Sequence, residues 1–244
     1  PFEDIWIKPA SGDAGGALGA ALFAWYQYLD NERRADGSSD FQRGSLLGPE
    51  FCGEYIEGFL KKKGVPFEII EEENIPDKVA DLIDRQQVVG LFQGRMEFGP
   101  RALGNRSIIA DARSFEMRTK LNMKIKFREG FRPFAPSVLE ERCPEYFDIE
   151  SPSPYMLLVA PVSEDVKDDG AARGSEMSGL AKLSVKRSAI PAVTHVDYSA
   201  RIQTVKDGSN SRYYSIISKF DEKYGCPVII NTSFNVRGEP IVRS

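Results

Sequence analysis

Apolar residues recur at helical spacing in several parts of the chain. Apolar positions three and four residues apart line one face of a helix, so this spacing predicts amphipathic helices packed on a core. The predicted helices span residues 14–29, 51–62, 75–87, 115–125 and 212–224. The first is rich in Ala and Leu and follows a Gly-containing turn at 11–13.

Short apolar runs bounded by polar or turn-forming residues predict strands. The predicted strands cover residues 5–8, 66–70, 88–93, 107–110, 155–161, 190–193, 201–205 and 226–231. Residues 131–141 also begin extended, because Pro133 and Pro136 exclude a continuous helix there.

Residues 123–134 alternate with a period of two. Lys124, Lys126 and Arg128 occupy every second position, with Met123, Ile125 and Phe127 alongside them. This period predicts a strand with one basic and one apolar face, on which neighbouring same-side residues lie about 6–7 Å apart. The alternative is an ordinary charged face in solvent.

Strands and helices alternate without a regular β-α-β repeat. This order predicts an α+β fold, or an α/β sandwich built on a mixed sheet. Residues 30–44 are polar and contain Gly and Ser, as linkers do. We therefore predict a tail and linker at 1–44 and the main domain at 45–244. Residues 163–187, rich in Asp, Gly, Ser and Lys, predict a long surface excursion.

The composition is that of a folded domain. Of the 244 residues, 41% are apolar, enough to bury a core. No apolar run approaches the roughly 20 residues that cross a bilayer, so we expect a cytoplasmic protein without a membrane partner. Because the chain starts at Pro1 without Met, we expect it to be a piece of a longer polypeptide.

Charge is distributed unevenly along the chain. The net charge is −4, yet residues 94–132 carry ten Lys and Arg against four Asp and Glu. A basic region in an acidic chain indicates an anion site rather than a generally basic surface. Nucleic acid is not expected as a partner, because the region lacks the extended basic tracts and interleaved aromatics of a groove that binds a phosphate backbone. A small phosphorylated ligand fits better.

The motif GRMEFGPRALGNRS at 94–107 sets arginines among glycines. A guanidinium is a rigid fork of donors that matches phosphate or carboxylate oxygens. Glycines at 94, 99 and 104 allow main-chain N–H groups to point at the same oxygens. The pattern differs from the phosphate-binding GxxxxGK[ST] loop. The open alternative is that these arginines pair at the surface with Glu97, Asp111 and Glu129.

Two other polar segments are candidates for chemistry. The segment NTSFNVRGEP at 231–240 ends a predicted buried strand, at the edge where ligands bind open sheets; a turn rich in Asn and Gly is the alternative. His195 is the only histidine and lies close to Asp197. It is either a base oriented by that carboxylate or a structural, hydrogen-bonded imidazole, and alone it cannot form a multi-histidine metal site.

These motifs, taken in order, resemble a known family. GRMEFGPRALGNRSIIAD, the K-x-K-x-RE-x-FRPFAPSVL stretch, IPAVTHVD with ARIQTV, and NTSFNVRGEPIV resemble the carboxyl-terminal half of O-carbamoyltransferases that act in nodulation and in cephalosporin and aminoglycoside tailoring. The opening SGDAGGALGAAL resembles the end of that family's amino-terminal domain, which has an actin-like ATPase fold. The resemblance implies a YrdC-like twisted mixed sheet with flanking helices at 45–244.

The resemblance implies a reaction in two stages. The second domain makes carbamoyl-adenylate from ATP, with Mg²⁺, and carbamoyl phosphate. The first domain then moves the carbamoyl group to a hydroxyl of a small-molecule acceptor, using iron or a similar divalent metal. The family's metal ligands are two histidines and an aspartate. The aspartate matches Asp13, and the histidines are expected upstream of Pro1, so iron belongs to the full-length protein.

The same resemblance assigns residues to the anion site. The catalytic set, placed on the phosphates and the carbamoyl group, is Arg101, Lys126, Arg132 and Ser233. The binding set is Arg106, Arg128, Arg201, Asn231 and Asn235. One departure from the family pattern is Tyr198, where a glycine-like residue is expected. The alternative function is a nucleotide- or RNA-binding module of YrdC-like fold without catalysis, and a homodimer is a further expectation for the oligomeric state.

Overall fold

A computed structural model of the chain describes residues 7–34, 40–168 and 178–244. Half of the predicted strand at 5–8, the middle of the predicted linker and the centre of the predicted excursion lie outside these residues. The boundary at residue 44 therefore stays a prediction.

Six strands form one mixed sheet. They are β1 (Val89–Phe92), β2 (Arg106–Asp111), β3 (Ala135–Leu139), β4 (Leu158–Pro161), β5 (Ser199–Val205) and β6 (Val228–Ser233). Their order across the sheet is β1-β2-β6-β3-β5-β4. The β3–β5 pair is parallel, and all other neighbours are antiparallel.

The described residues also form α-helices. They are α1 (Asp13–Phe23), α2 (Gly53–Lys63), α3 (Ile75–Asp84), α4 (Met117–Lys120), α5 (Cys143–Tyr146) and α6 (Ser211–Tyr224). A π-helical turn continues α1 over Ala24–Tyr28 and another continues α4 over Leu121–Ile125. The prediction of a mixed sheet with flanking helices is thus confirmed.

The core lies against the central strands. Every residue of β2 and β3 is buried, as are the first four of β6, because both faces of these strands are covered. Helices α3 and α6 pack against each other and on the sheet. They contribute Ala80, Ile83, Ile216 and Phe220, each essentially inaccessible to solvent. Apolar α1 differs, since Gly15 is its one buried residue.

Three predicted strands are wrong, and one of them, at 190–193, is a turn. Residues 66–70 are not in a strand. Residues 123–134 form no strand either: the π-helical turn runs to Ile125, and Phe127 has a φ of 49°, which turns the chain. The supposed apolar face is exposed at Met123 and Phe127, whereas Lys126 is 3% exposed. The alternation therefore does not match the pattern of buried and exposed residues. Lys126 is buried because its ammonium donates to Ser233 at the end of β6 and to Asn235 just after it.

Candidate functional site

A small cavity lies where the ends of several strands and loops meet. Its volume is about 130 Å³, less than the roughly 300–1,000 Å³ of sites that enclose a drug-sized ligand. It is therefore sized for a small group rather than for a whole nucleotide. We call it the arginine cavity; its lining includes Arg101, Arg128, Met156, Arg201, Asn231, Thr232 and Ser233.

Arg101 and Arg201 face the arginine cavity without an acidic partner. In the described part of the chain no carboxylate lies within 4.0 Å of either guanidinium, and the buried Nε of each has no hydrogen-bond partner. Burial, with the nearby charge of Arg101, lowers the pKa of Arg201 to about 10. Two half-buried like charges in one cavity are an arrangement that an anion stabilises.

Strand β5 delivers Arg201 to this position. The preceding Tyr198 has a φ of 63°, in the left-handed region that favours glycine. This backbone conformation is consistent with the glycine-like residue that the resemblance leads us to expect at this position. Tyr198 adopts that backbone conformation nonetheless, and β5 begins at Ser199.

Arg128 enters the arginine cavity from the turn after α4. Its Nε donates to Asn122 Oδ1 at 2.7 Å, and its guanidinium lies 4.9 Å from the ring centroid of Phe134. Burial, reinforced by the charge of Arg132, lowers the pKa of Arg128. Asn122 is fully buried and thereby fixes the direction of this guanidinium.

Lys126 supports the wall of the arginine cavity rather than lining it. Its Nζ donates to the main-chain oxygen of Ser233, to Asn235 O at 3.0 Å and to Asn235 Oδ1 at 3.0 Å. It also lies 3.4 Å from Ser233 Oγ. The ammonium thus holds the end of β6 in position. It does not line the cavity itself but contacts Ser233, which does.

The ionisation of Lys126 predicts a pH-dependent stability. Burial, with a contribution from Arg128, lowers the pKa of Lys126 to about 8. Between about pH 8 and pH 10.5 the unfolded chain keeps a proton that the folded chain releases, so this group makes unfolding less favourable as the pH rises. Relative to Lys126→Met, the wild-type free energy of unfolding should increase by about 2 kcal/mol from about pH 7.5 to about pH 9.5.

Chemical denaturation of both proteins at the two pH values measures this change. Comparison with the variant cancels the titration of other groups. An unchanged difference between wild type and Lys126→Met across the range would show that the amine has an ordinary pKa.

Two predicted site residues lie elsewhere. Arg132 is exposed, and its Nε lies 3.0 Å from Glu129, as the alternative of a charged face in solvent at 123–134 describes. Arg106 is fully buried and donates to the main-chain oxygens of residues 49, 93, 94 and 105. Its guanidinium stacks 3.6 Å from the centroid of Phe92. The roles of both in ligand binding stay predictions.

Glu97 organises the motif at 94–107 through main-chain contacts. Its Oε1 accepts N–H bonds from Leu103 at 2.6 Å and Asn105 at 2.8 Å. Gly104 has a φ of 116°, and a side chain there would meet the ring of Tyr213. Its N–H donates to Ser107 Oγ. The expectation that this glycine offers its N–H to an anion is therefore wrong.

His195 takes part in a small hydrogen-bonded group. Its Nδ1 lies 3.3 Å from Ser199 Oγ, which donates to Asp197 Oδ1 at 2.7 Å. Burial lowers the pKa of His195. Asp197 reaches the histidine through Ser199, so the contacts agree better with the structural interpretation.

Asp13 is exposed at the start of α1. The residues that the structure describes contain no group of three or more His, Cys, Asp or Glu able to hold a metal ion. These residues therefore bring no three such ligands together by themselves, and the role of Asp13 as a metal ligand stays a prediction. The same described residues include no helix with the length and apolar character to cross a membrane.

Sequence reasoning missed several residues around the arginine cavity. Met156, Phe134 and Asn122 all contact its arginines. Gln203 bonds Asn231 from behind the cavity wall. None of the four is charged, although Phe134 ends the alternating segment at 123–134, so the fold is what brings them to the site.

Comparison with known proteins gives a consistent result. Residues 80–244 match the family model described as carbamoyltransferase C-terminus. The chain is 53% identical over 99% of its length to uncharacterized protein sll1178 of Synechocystis, covering 39% of that protein. It is 39% identical over its full length to nodulation protein NolNO of Sinorhizobium fredii, covering 33% of it. It is 38% identical to nodulation protein NolO of Bradyrhizobium diazoefficiens, again over its full length and 40% of that protein. The chain thus spans two fifths or less of each of these relatives.

Proposed function

The chain belongs to the carbamoyltransferase C-terminus family, and from this we propose that it is part of an O-carbamoyltransferase whose domain at 45–244 forms carbamoyl-adenylate. The substrates are ATP and carbamoyl phosphate. The observation that carries the proposal is the pair Arg101 and Arg201, two partly buried guanidinium groups in one cavity without a carboxylate partner among the described residues.

The reaction balances in two steps. Water attacks the carbonyl carbon of carbamoyl phosphate, the bond from that carbon to the bridging oxygen breaks, and phosphate leaves with one proton of the water while the other passes to solvent, so that carbamate remains. A carbamate oxygen then attacks the α-phosphorus of ATP, the bond from that phosphorus to the bridging oxygen breaks, and pyrophosphate leaves. Each step gathers negative charge on oxygen, which fixed cations stabilise without reorganisation.

The residues of the arginine cavity meet this requirement. Arg101 and Arg201 present unpaired donors to an anion, and Arg128, oriented by Asn122, adds a third guanidinium. Lys126 holds Ser233 and Asn235 in place beside them. Because the cavity is small, we place the carbamoyl group and its adjoining phosphate inside it and the rest of ATP outside.

The second stage belongs to the whole protein. We propose that carbamoyl-adenylate passes its carbamoyl group to a hydroxyl of a small-molecule acceptor bound by the longer polypeptide. Magnesium would accompany the ATP phosphates, since Mg²⁺ is commonly held through substrate phosphates and one or two carboxylates. No step here is assigned to a protein-bound metal, because the described residues do not form such a site.

A turnover assay tests the proposal. The full-length protein that contains this chain is incubated with ATP, Mg²⁺ and carbamoyl phosphate, and pyrophosphate and carbamoyl-AMP are measured. We expect both products in equal amounts, dependent on carbamoyl phosphate. Absence of both products together with tight RNA binding would favour the alternative, a nucleotide- or RNA-binding module that uses its basic cavity without catalysis.

A further inference from the structure

We propose that Asn231 recognises an N–H group on the ligand held by the arginine cavity, and that Gln203 fixes the orientation in which Asn231 does so. The inference rests on the proposed function, because it specifies how the site distinguishes a carbamoyl group from other small acyl groups. Asn231 is here a specificity-determining residue and Gln203 a positioning residue.

The side chain of Asn231 has one unused polar atom. Asn231 is 1% exposed and lines the arginine cavity. Its Nδ2 donates to Ala102 O at 3.0 Å and to Gln203 Oε1 at 2.7 Å, which uses both of its N–H bonds. Its Oδ1 is buried and has no donor within reach among the described residues. A buried acceptor left unpaired is costly, so such an atom beside a cavity points to a ligand that donates.

Two main-chain carbonyls fix this orientation. Gln203 Nε2 donates to Leu103 O at 3.0 Å, and Asn231 Nδ2 donates to Ala102 O. Turning either amide by 180° would set its oxygen against a carbonyl oxygen, which offers no proton. The arrangement with Asn231 Oδ1 left over is therefore the one that satisfies both main-chain groups.

A buried chain of hydroxyl groups supports Gln203 from the other side. Tyr213 OH donates to Ser137 Oγ at 2.8 Å, and Ser137 Oγ donates to Gln203 Oε1 at 2.6 Å. The four hydrogen-bonded side chains are each at most 3% exposed: Tyr213, Ser137, Gln203 and Asn231. The hydrogen bonds therefore run from Tyr213 through Ser137 to Gln203 Oε1, which accepts from both Ser137 and Asn231.

The cavity therefore combines cationic donors with one free acceptor. The guanidinium groups take ligand oxygens, whereas Asn231 Oδ1 requires a ligand N–H or O–H. A carbamoyl group supplies oxygen and NH₂ together. An acetyl group has nearly the same shape but carries CH₃ where the donor is needed, and it would leave the buried oxygen unpaired.

Two stable phosphonates that differ only at this position test the inference. Phosphonoacetamide carries NH₂ and acetonylphosphonate carries CH₃ on otherwise equal frames. Titration calorimetry on the full-length protein should show phosphonoacetamide binding about tenfold tighter or more, the effect of one hydrogen bond to a buried acceptor.

Variants locate the source of this preference. Asn231→Leu should bring the ratio of the two dissociation constants to about one, while the affinity for acetonylphosphonate, set by the arginines, changes less. Gln203→Met should lower the ratio several-fold, because Asn231 loses one of its two fixed partners. Asn210→Leu makes the same chemical change outside the arginine cavity and should leave the ratio as in wild type.

The outcomes separate this inference from the proposed function. Equal affinities in the wild type would overturn the role of Asn231 and leave the anion site intact. If folded Asn231→Leu keeps the wild-type ratio of the two dissociation constants, the role of Asn231 is likewise overturned. If that variant does not fold, the ratios measured for the wild type and for Gln203→Met test the inference. Failure of both phosphonates to bind would overturn the proposed function and this inference together.

Discussion

Replacement of Arg201 by methionine is expected to lower the rate of carbamoyl-adenylate formation by about 10²–10³-fold, the usual effect of removing one preorganised group that stabilises developing charge. Methionine keeps the unbranched apolar stem and removes the guanidinium. Pyrophosphate release by the full-length protein, measured with saturating ATP, gives the rate.

The same variant should be more stable than the wild type. Arg201 is desolvated, lies beside Arg101 and has no acidic partner among the described residues, so its charge opposes folding in the absence of ligand. A higher melting temperature together with lost activity separates a ligand-binding charge from a structural one. Arg85→Met, a matched change of an exposed arginine, should leave both quantities near wild type. Full activity in folded Arg201→Met would remove Arg201 from the site.

Replacement of Arg106 by alanine is expected to lower the free energy of unfolding by about 3 kcal/mol or more, because buried carbonyl oxygens lose their donor. The guanidinium donates at 2.7 Å to Gln93 O and at 3.0 Å to Asn105 O, and also contacts Gly94 O and Pro49 O at 3.2 Å. Its stacking on Phe92 is lost as well. Chemical denaturation measures the change.

Arg95 offers a control within the same motif. It is paired with Glu50 at 3.6 Å and both side chains are about half exposed, so Arg95→Ala should cost about 1 kcal/mol or less. If Arg106→Ala were as stable as Arg95→Ala but bound ATP poorly, Arg106 would belong to the ligand site, as the family resemblance implies. The main-chain contacts of Arg106 are the reason we expect the loss of stability instead.

The sequence predicted elements best where a long pattern agreed with burial. The amphipathic spacing at 75–87 and 212–224 corresponds to α3 and α6, and the apolar run at 226–231 corresponds to β6. These segments are stabilised by the core that their own pattern creates. The alternation at 123–134 failed because it depended on a few residues, and tertiary acceptors around Lys126 decided the local structure.

The candidate site was predictable only in part. Charge identified the arginines but could not separate Arg101 from Arg106, five positions apart in one motif. The start of β2 turns Arg106 into the interior, whereas Arg101 lies in the preceding loop and reaches the cavity. The chain from Tyr213 through Ser137 and Gln203 to Asn231 joins four separate elements, and no local pattern contains it.

The position of β6 has a consequence for synthesis of the protein. This strand lies between β2 and β3 in the sheet, yet it is the last of the six along the chain. Until the ribosome has translated β6, the edges of β2 and β3 that pair with it have no partner. During that time these edges can pair with strands of another chain, which leads to aggregation. We expect the nascent chain to depend on chaperones until β6 emerges from the ribosome and joins the β1–β2 pair to the β3–β5–β4 strands.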